Sequence, residues 1–325
     1  MTESDKNSAE RDLDRLMEIF FPNEQTRRQE VIATKTKMVH YTSSEVAVSI
    51  IRGKEIWMRN SSLMNDWSEI NHGLDCLAAA YNQNHLTNNF SSALDAIRPG
   101  LRQRVESHFN SVQDDLKSDT YLTCVSQHLE SENSNGRLSM WRAYGGQNGV
   151  ALVFNSDIFG LKSDVLKAYS SPVVYGTENE LAQILLDVTT GVMSNLDWLR
   201  SIDEQLIYNC VFQMWRFAAL CTKHPGFEEE REWRIVYSPK VSSSEKMQRS
   251  VEVVRGIPQI VYKLPLKDFP DEGHIGAQLP QLLDRVIIGP TSHPVAAYRA
   301  FVDLLTEAGV DNAHQKVFTS GIPLR

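Results

Sequence analysis

Apolar side chains recur at helical spacing within residues 8–20, close to the start of the chain. The members of this stripe are Leu13, Leu16, Met17 and Phe20. Because residues three and four positions apart share one side of a helix, the spacing predicts an amphipathic helix. Pro22 follows at once and marks the predicted end, since proline cannot continue a helix.

Two longer segments have the same periodicity. We predict helices within about 70–117 and 178–221. We expect Pro99 and Gly100 to interrupt the first segment, because both residue types disfavour a helix interior. Shorter predicted helices are 45–52, with Ser44 as its N-cap, 138–144 and 294–308.

Short apolar runs between the helical segments predict strands, because they are bounded by turn residues and are too short for helices. The predicted strands are 38–43, 55–59, 120–127, 149–154, 166–175, 232–237, 251–264, 282–290 and a closing strand within 315–320. Strands mixed with helices in this way predict the α+β class.

No internal repeat, low-complexity linker or shift in composition divides the chain. We therefore predict an N-terminal helix and basic lead-in at 1–37, followed by a single α+β domain at 38–325. The helical segments at about 70–117 and 178–221 are interpreted as large insertions into that domain.

The strand predicted at 232–237 begins with a run of carboxylates. They are Glu228, Glu229, Glu230 and Glu232. Alternation puts Glu232 and Arg234 on one face of the strand and Trp233 on the other. A carboxylate fixed at the start of a strand can stabilise positive charge that develops on a substrate. The alternative interpretation is an edge strand with a solvated acidic lead-in.

The balance of charge restricts the partners that the chain can bind. The 325 residues carry a formal net charge of −8, which argues against loose electrostatic binding to nucleic acid. Between Arg27 and Arg59, however, seven Lys and Arg residues stand against three Glu residues. This local excess predicts either a surface that faces phosphate groups or an ordinary solvated surface.

The composition, 42% hydrophobic and 23% charged, is typical of a globular protein, which we expect to be cytoplasmic. No apolar run approaches the roughly 18 residues that a membrane helix needs, and the polar N-terminus does not look like a signal peptide. The cysteines lie far apart without a C-x-x-C pair, so we expect reduced thiols. They are Cys76, Cys124, Cys210 and Cys221.

Common catalytic motifs are missing: the sequence contains no G-x-S-x-G, G-x-x-x-x-G-K-[ST], G-x-G-x-x-G or H-E-x-x-H pattern. We therefore expect neither metal nor P-loop chemistry. The remaining candidates are His40, Tyr41 and Thr42 on the first predicted strand, Asn65 and Asp66 in a loop, and Trp141 and Tyr144 in a short helix. Each also has a structural interpretation, as a buried histidine, a turn residue or a core aromatic residue.

Eight motifs occur in order along the chain. They are H-Y-T, L-M-N-D-W-S-E, Y-L-T-C-V-S, L-S-M-W-R-A-Y-G, G-V-A-L-V-F, K-H-P-G-F-E-E-E-R-E-W-R, V-I-I-G-P and T-S-G-I-P. Together they resemble a bacterial domain-of-unknown-function family, number 2971, from about Met38 to Arg325. The pattern is in turn similar to the ADP-ribosyltransferase fold, which implies a split or curved mixed sheet with helical insertions and NAD as substrate.

The resemblance implies roles for three residues. A histidine on the first strand of that fold holds the nicotinamide ribose, and the matching residue is His40. A glutamate that begins a later strand, often in E-x-E, is catalytic, which matches Glu232 with Glu230 as the preceding acid. Cleavage of the nicotinamide–ribose bond develops positive charge on the ribose, and a fixed carboxylate stabilises that charge.

The resemblance also implies the remaining binding residues. The middle position, which packs on the nicotinamide, matches Ser126, Ser139 or Tyr144, and the sequence leaves these three open. The flat apolar surface is assigned to Tyr41, Trp141 or Tyr144, and the pyrophosphate to Arg59 or Arg52. Thr42, Asn65 and Asp66 complete the implied NAD site. No metal is required.

Several functions fit this resemblance. The implied enzyme modifies an unidentified protein or nucleic acid, as a bacterial toxin or anti-phage effector does, and an antitoxin is a candidate partner. One alternative is a non-catalytic domain that senses a nucleotide or nucleic acid on the same scaffold. Another is a hydrolase or nuclease that uses His40 with Asp66 or Glu69.

Overall fold

The computed structural model of the chain describes residues 3–63, 67–161 and 163–323. The chain divides into two compact units. Unit 1 consists of Met1–Gln29, Ser61–Asp119 and Ser171–Glu229, and unit 2 consists of Glu30–Asn60, Thr120–Ser170 and Glu230–Arg325. Each unit is therefore assembled from segments that are far apart in the sequence.

The chain combines helices and strands throughout. The α-helices are α1 (Glu3–Phe20), α2 (Pro22–Thr34), α3 (Ser44–Gly53), α4 (Trp67–Tyr81), α5 (Asn84–Ile97), α6 (Leu101–Ser118), α7 (Leu138–Met140), α8 (Glu178–Ser194), α9 (Leu196–Ser201), α10 (Glu204–Leu220), α11 (Leu279–Leu282), α12 (Pro294–Glu307) and α13 (Ala313–Lys316). The strands are β1 (Lys37–Ser43), β2 (Glu55–Asn60), β3 (Tyr121–His128), β4 (Gly149–Phe154), β5 (Tyr169–Pro172), β6 (Val174–Tyr175), β7 (Thr222–Lys223), β8 (Glu232–Tyr237), β9 (Gln248–Val254), β10 (Ile257–Pro265), β11 (Leu283–Ile288) and β12 (Val317–Thr319). The predicted α+β class is confirmed.

Unit 1 consists mainly of helices around an aromatic core. Helix α10 packs against α4 and α6, and α8 packs against α4 and α5. The ring centroid of Trp215 on α10 lies 5.4 Å from that of Tyr81, 5.6 Å from Phe109 and 6.4 Å from Phe90. Aromatic rings at these separations stabilise a core beyond the effect of their buried area.

Both long helical segments predicted from the sequence lie in unit 1. The first forms α4, α5 and α6, and Gly100 between α5 and α6 has a φ of 79°. The predicted interruption at Pro99 and Gly100 is confirmed, since glycine adopts this left-handed backbone without steric cost. The second segment forms α8, α9 and α10. Among the described helices, none is both long and apolar enough to cross a lipid bilayer.

Unit 2 is organised around a mixed β-sheet. Its strands follow the order β12-β11-β4-β1-β3-β2-β10-β9, and β8 also pairs with β3. Neighbours along this order are antiparallel except β11 and β12, which are parallel. The strand β8 pairs antiparallel with β3. The sheet is therefore mixed, as predicted.

The sheet divides at β3. On one side β3 pairs with β8 over residues 121–126. On its other side β3 pairs with β1 only at 126–128 and with β2 only at 121–122. The strands β1 and β2 therefore diverge, and residues 123–125 of β3 border the gap between them. We call this gap the β3 split.

Two apolar clusters cover the two faces of the sheet. On the back face the sheet packs against α3 and α12, and this cluster includes Ile50, Met58, Leu152, Val286 and Phe301. The front face carries Val39, Tyr41, Met140, Trp141, Ala151, Val153 and Ile287. Because successive residues of a strand point to opposite faces, the register assigns each strand residue to the front or the back.

Two predicted elements differ from the structure in their limits. The N-cap of α3 is Ser43, whose side chain accepts a hydrogen bond from Val46 N at 3.4 Å, and not Ser44. Ser43 has the extended backbone of a cap, with a φ of −78° and a ψ of 158°, whereas Ser44 is already helical. The predicted strand 166–175 is shorter and divided into β5 and β6.

The strand predicted at 251–264 is a hairpin of β9 and β10. The chain reverses at Arg255 and Gly256, which both have positive φ, 51° and 80°. Two successive residues with positive φ are typical of the tight turns that join antiparallel strands. The prediction was wrong because the residues on both sides of this turn have the same apolar alternation.

Candidate functional site

The strand register brings Glu232 to the front face of the sheet. On β8 it lies opposite Ser126 of β3, and Ser126 lies opposite Val39 of β1. Val39 belongs to the front cluster, so Glu232 and Arg234 share that face. Glu232 and Val39 are two strand spacings apart, about 10 Å. The predicted pairing of Glu232 and Arg234 on one face is confirmed.

Glu232 and Arg234 form a buried ion pair. Arg234 Nε donates a hydrogen bond to Glu232 Oε1 at 2.9 Å, and the two residues are 0% and 3% exposed, respectively. Removal of two charges from water is costly, so each charge depends on the other. Five of the six β8 residues are buried, so the strand itself is not solvated. The lead-in is exposed at Glu228 and Glu229.

Glu230, two residues before Glu232, lies in a different environment. It is half-buried, and the Tyr144 hydroxyl donates to its carboxylate, with distances of 3.2 Å to Oε1 and 3.3 Å to Oε2. Tyr144 belongs to a π-helix, Trp141–Gly145, directly after α7. Such helices are rare and occur frequently at functional sites. Glu230 and Tyr144 thus form a hydrogen-bonded pair that is partly exposed to solvent.

Arg231 separates the two glutamates with an unusual backbone. Its φ is 47°, in the left-handed region that residues with a side chain rarely adopt. Its carbonyl nevertheless accepts a hydrogen bond from Gln127 N at 2.9 Å, which extends the pairing of β8 with β3. The E-x-E motif therefore does not follow simple strand alternation, and the chain turns between Glu230 and Glu232.

A buried carboxylate, Glu132, holds this turn in place. Its Oε1 accepts from Arg137 Nε at 2.9 Å and from Arg231 Nη2, and its Oε2 accepts from Leu129 N at 3.0 Å. Arg137 also donates to the Glu230 carbonyl at 3.1 Å. Burial alone would raise the pKa of Glu132, but the hydrogen bonds and positive charges of the arginines lower it below 4.5.

Glu132 and Arg137 are not among the site residues that the sequence predicts. Glu132 lies in the polar segment S-E-N-S-N-G, which indicates a loop, and Arg137 follows it. The contact from Glu132 to Arg231 joins positions 99 residues apart. A contact between residues so far apart cannot be predicted from a local sequence pattern. The only sequence feature that pointed to Glu132 was the presence of an acidic residue in the loop before a short helix.

Trp141 is enclosed in the front cluster. It is 4% exposed, its ring meets that of Tyr41 edge-on at 4.8 Å, and its Nε1 donates to Asn135 O at 2.8 Å. A Cβ atom at Gly136 would lie 2.6 Å from the Trp141 ring, and one at Gly289 would lie 3.0 Å from it. Backbone without side chains thus approaches the ring closely, and Trp141 contributes packing within this cluster.

Tyr41 also has a structural position. Its hydroxyl oxygen accepts a hydrogen bond from Arg137 N at 2.8 Å. Burial raises the pKa of Tyr41 to about 12, although the bond from Arg137 acts in the opposite direction. The hydroxyl is therefore neutral at pH 7 and fixes the start of α7 against the sheet. Of the three candidate aromatic residues, Tyr144 is the one with a half-exposed ring.

His40 lies on β1 at the β3 split. Alternation assigns it to the back face, opposite to the face of Glu232. Its Nδ1 lies 2.8 Å from Cys124 O, and a carbonyl only accepts, so Nδ1 carries the proton and Nε2 has a lone pair. Burial lowers the pKa of His40 below its ordinary 6.5, with the bond to Cys124 opposing, so the ring is neutral at pH 7.

The two candidate arginines differ in position. Arg59 on β2 lies opposite Leu122 of β3, which assigns it to the front face on the other side of the β3 split. It is half-buried, and its Nε donates to Gln259 Oε1 at 3.1 Å. Arg52, near the end of α3, is exposed. Arg59 is therefore the arginine that shares a face with Glu232.

The other predicted site residues are dispersed. Thr42 lies opposite Val150, which belongs to the back cluster. Ser126 is buried beside Glu232, and Ser139 on α7 is half-buried. Asn65 and Asp66 lie outside the described residues. The structure therefore brings Ser126, Tyr144, Glu230 and Glu232 to one end of the front face, whereas Thr42 lies on the back.

The first half of the K-H-P-G-F-E-E-E-R-E-W-R motif belongs to unit 1. Lys223 is 2% exposed there, and its Nζ lies 2.9 Å from Glu69 Oε1. The Lys223 ammonium also lies 4.8 Å from the centre of the Phe227 ring. All four cysteines are free thiols, as predicted. Within the described ranges, no three His, Cys, Asp or Glu side chains are grouped as metal ligands.

Comparison with known proteins supports the resemblance to one family over part of the chain. No curated protein and no solved structure matches the chain. The family model described as a protein of unknown function, DUF2971, matches residues 140–235, which contain Tyr144, Glu230 and Glu232. The resemblance to this family is confirmed over those residues, which are a smaller part of the chain than the predicted extent from about Met38 to Arg325.

Proposed function

We propose that unit 2 has an ADP-ribosyltransferase-like fold, binds NAD at the β3 split and transfers its ADP-ribose group to an acceptor. The observation that supports this most is the start of β8. There the half-exposed Glu230 is held by Tyr144, directly before a strand that fixes Glu232 with Arg234. In this proposal Glu230 is the carboxylate that touches the substrate, and Glu232 is a positioning residue.

Two further groups on the front face would hold NAD, and His40 would reach it only through the β3 split, from the back face. There the lone pair on His40 Nε2 would accept a hydrogen bond from a ribose hydroxyl, which the neutral ring allows. The guanidinium of Arg59 matches the geometry of a pyrophosphate. The ring of Tyr144 supplies a flat apolar surface for the nicotinamide.

The proposed reaction breaks the bond between C1′ of the ribose and the ring nitrogen of nicotinamide. Nicotinamide leaves with the electron pair, and C1′ develops positive charge that the Glu230 carboxylate stabilises. A hydroxyl or amino group of the acceptor forms the new bond to C1′. Its proton passes to the carboxylate or to solvent. The acceptor is a protein or a nucleic acid.

The test measures nicotinamide release from NAD, with cell extract as the source of acceptor. The full chain, Glu230→Gln and the control Glu228→Gln are compared, and the melting temperature of each is recorded. We expect Glu230→Gln to lose activity by about 100-fold or more at unchanged melting temperature, because a fixed charge at the reacting atom is removed. The absence of release by the unaltered chain, or full activity of Glu230→Gln, would overturn the proposal.

A second function, the binding of a nucleotide without turnover, is favoured by a different observation. Glu232 is enclosed with Arg234, and His40 lies on the opposite face of the sheet. If these two residues only build a binding surface, NAD or a related nucleotide will raise the melting temperature while no nicotinamide is released. The same samples therefore distinguish the two functions.

A further inference from the structure

The β9–β10 hairpin forms one end of the sheet in unit 2. All seven residues of β9, Gln248–Val254, are in register with β10, and among the described residues no strand pairs with the other side of β9. An outermost strand presents a row of backbone N–H and C=O groups. Another extended strand can form regular hydrogen bonds with these backbone groups.

The outermost strand also exposes apolar side chains. Val251 is 64% exposed and Val253 is 66% exposed, and both point to the back face, opposite Ile260 and Pro258 of β10. Ile257, at the start of β10, is 55% exposed. Burial of these side chains against a partner would be favourable, at about 25 cal/mol for each Å² removed from water.

Several of the usual protections against strand pairing are missing from β9, although it carries two charged residues, Arg249 and Glu252. The strand contains neither proline nor lysine, and its register with β10 has no bulge. Natural proteins commonly use these devices to keep outermost strands apart. A seven-residue outermost strand with exposed valines and without these devices is suited to pairing with another strand.

We propose that β9 is a homodimer interface, at which it pairs antiparallel with β9 of a second copy of this chain. The two sheets of unit 2 then form one continuous sheet across a two-fold axis. A contact of this kind is closed, because each copy contributes the same strand. The inference does not depend on the proposed function, since β9 carries none of the residues assigned to NAD.

The sequence of β9 is complementary to itself. A two-fold axis through Val251, the middle residue, allows all seven residues to pair. Val251 then faces Val251 of the second copy, Arg249 faces Val253, and Ser250 faces Glu252. No two like charges lie directly opposite each other, and the strand has one positive and one negative residue.

The side chains on the front face of β9 are also compatible with pairing to a second copy. Ser250 Oγ donates to Glu252 Oε1 at 2.8 Å within the strand, and Lys263 Nζ lies 3.2 Å from the same oxygen. The charge of Glu252 is therefore balanced before a second copy approaches. Because β9 has no net charge, it does not complement a strongly acidic or strongly basic strand. A second copy of β9, which is also neutral, is therefore the favoured partner.

The first test uses Val251→Cys in the full chain. Residues directly opposite in an antiparallel pair are close enough for a disulfide, so mild oxidation is expected to link the two copies at this position. The matched control is Val295→Cys on α12, where Val295 is 63% exposed. Three of the natural cysteines are buried and Cys124 is half-buried, so the unaltered chain is oxidised alongside to give the background of covalent dimer. Equal cross-linking at both positions would overturn the proposal.

The second test is sedimentation at increasing protein concentration. The unaltered chain is expected to show a monomer–dimer equilibrium. Val251→Lys should weaken it by at least about tenfold at unchanged melting temperature, because it places two lysines opposite each other at an exposed site. Val295→Lys should leave the equilibrium unchanged. A chain that stays monomeric up to its solubility limit, or that forms open-ended aggregates, would overturn the closed dimer.

Discussion

Glu230 and Glu232 are two residues apart and lie in opposite environments. Glu232 begins β8, is almost completely buried, and accepts a hydrogen bond from Arg234. Glu230 precedes the strand, is half-buried, and accepts from the hydroxyl of Tyr144. A charge removed from water must be paired, so Glu232 contributes to the fold, whereas Glu230 keeps partial access to solvent.

The difference originates in the backbone between the two glutamates. Arg231 has a left-handed conformation, and its side chain is held by Glu132. One residue with positive φ is enough to turn the chain, so neighbouring carboxylates of an E-x-E motif need not point to one site. The density of acidic residues in a sequence therefore does not identify the one that a substrate can reach.

The largest expected effect is that of Glu232→Ala on stability. The substitution leaves Arg234 charged and buried without its carboxylate, which typically costs about 3–5 kcal/mol. Urea denaturation of the full chain measures the loss of unfolding free energy. Glu228→Ala, at an exposed position in the same acidic run, is the control and should change stability by less than about 0.5 kcal/mol.

A double variant distinguishes the effect of the unpaired charge on stability from the effect of lost side-chain volume. Glu232→Leu combined with Arg234→Met removes both charges and fills similar volume, so it should recover most of the lost stability. If Glu232→Ala were as stable as Glu228→Ala, the contrast between the two glutamates would be wrong.

The second prediction concerns Glu132, which holds the turn between them. Glu132→Gln keeps the shape but removes the charge that faces Arg137 and Arg231, and we expect a loss of about 2 kcal/mol at pH 7. The folded state lowers the pKa of Glu132, so its stabilisation is present above pH 4.5 and is lost as the pH falls below that value. Denaturation at several pH values should therefore show that the unfolding free energies of the unaltered chain and of Glu132→Gln become equal in acid.

Much of the fold could be predicted from local patterns. The strand 149–154 and the strand 232–237 are confirmed at both ends, because alternation and turn residues delimit them. The hairpin of β9 and β10 was missed, since apolar alternation continues on both sides of Arg255 and Gly256. The β3 split could not be predicted, because it depends on which strands pair with β3. The sequence of a single strand does not specify its partners.

The candidate site could be predicted only in part. The shared face of Glu232 and Arg234 follows from period two, and the structure confirms it. The exposure of Glu230 depends on Arg231, which is not one of the residue types that usually adopt positive φ. Glu132 was missed because its role consists of contacts between distant parts of the chain.

The third prediction tests the turn directly. Arg231→Gly and Arg231→Ala both remove the guanidinium that contacts Glu132. Only glycine adopts a φ of 47° without steric cost, so the glycine variant should be more stable than the alanine variant by about 1 kcal/mol. Thermal unfolding of the two variants side by side gives the difference. Equal stability would mean that the turn between the glutamates is not left-handed in solution.

The smallest expected effect is the pH dependence that comes from His40. Burial lowers its pKa in the folded state, so the unfolded chain binds this proton more readily, and stability rises with pH in the range just below 6.5. His40→Asn keeps a donor for Cys124 O but does not titrate, and it should reduce the loss of stability between pH 7 and 5.5 by less than about 1 kcal/mol. His128 and His274, whose pKa values are also lowered by burial, account for pH dependence that remains. An unchanged profile in His40→Asn would mean that burial does not lower the pKa of His40 in the folded state.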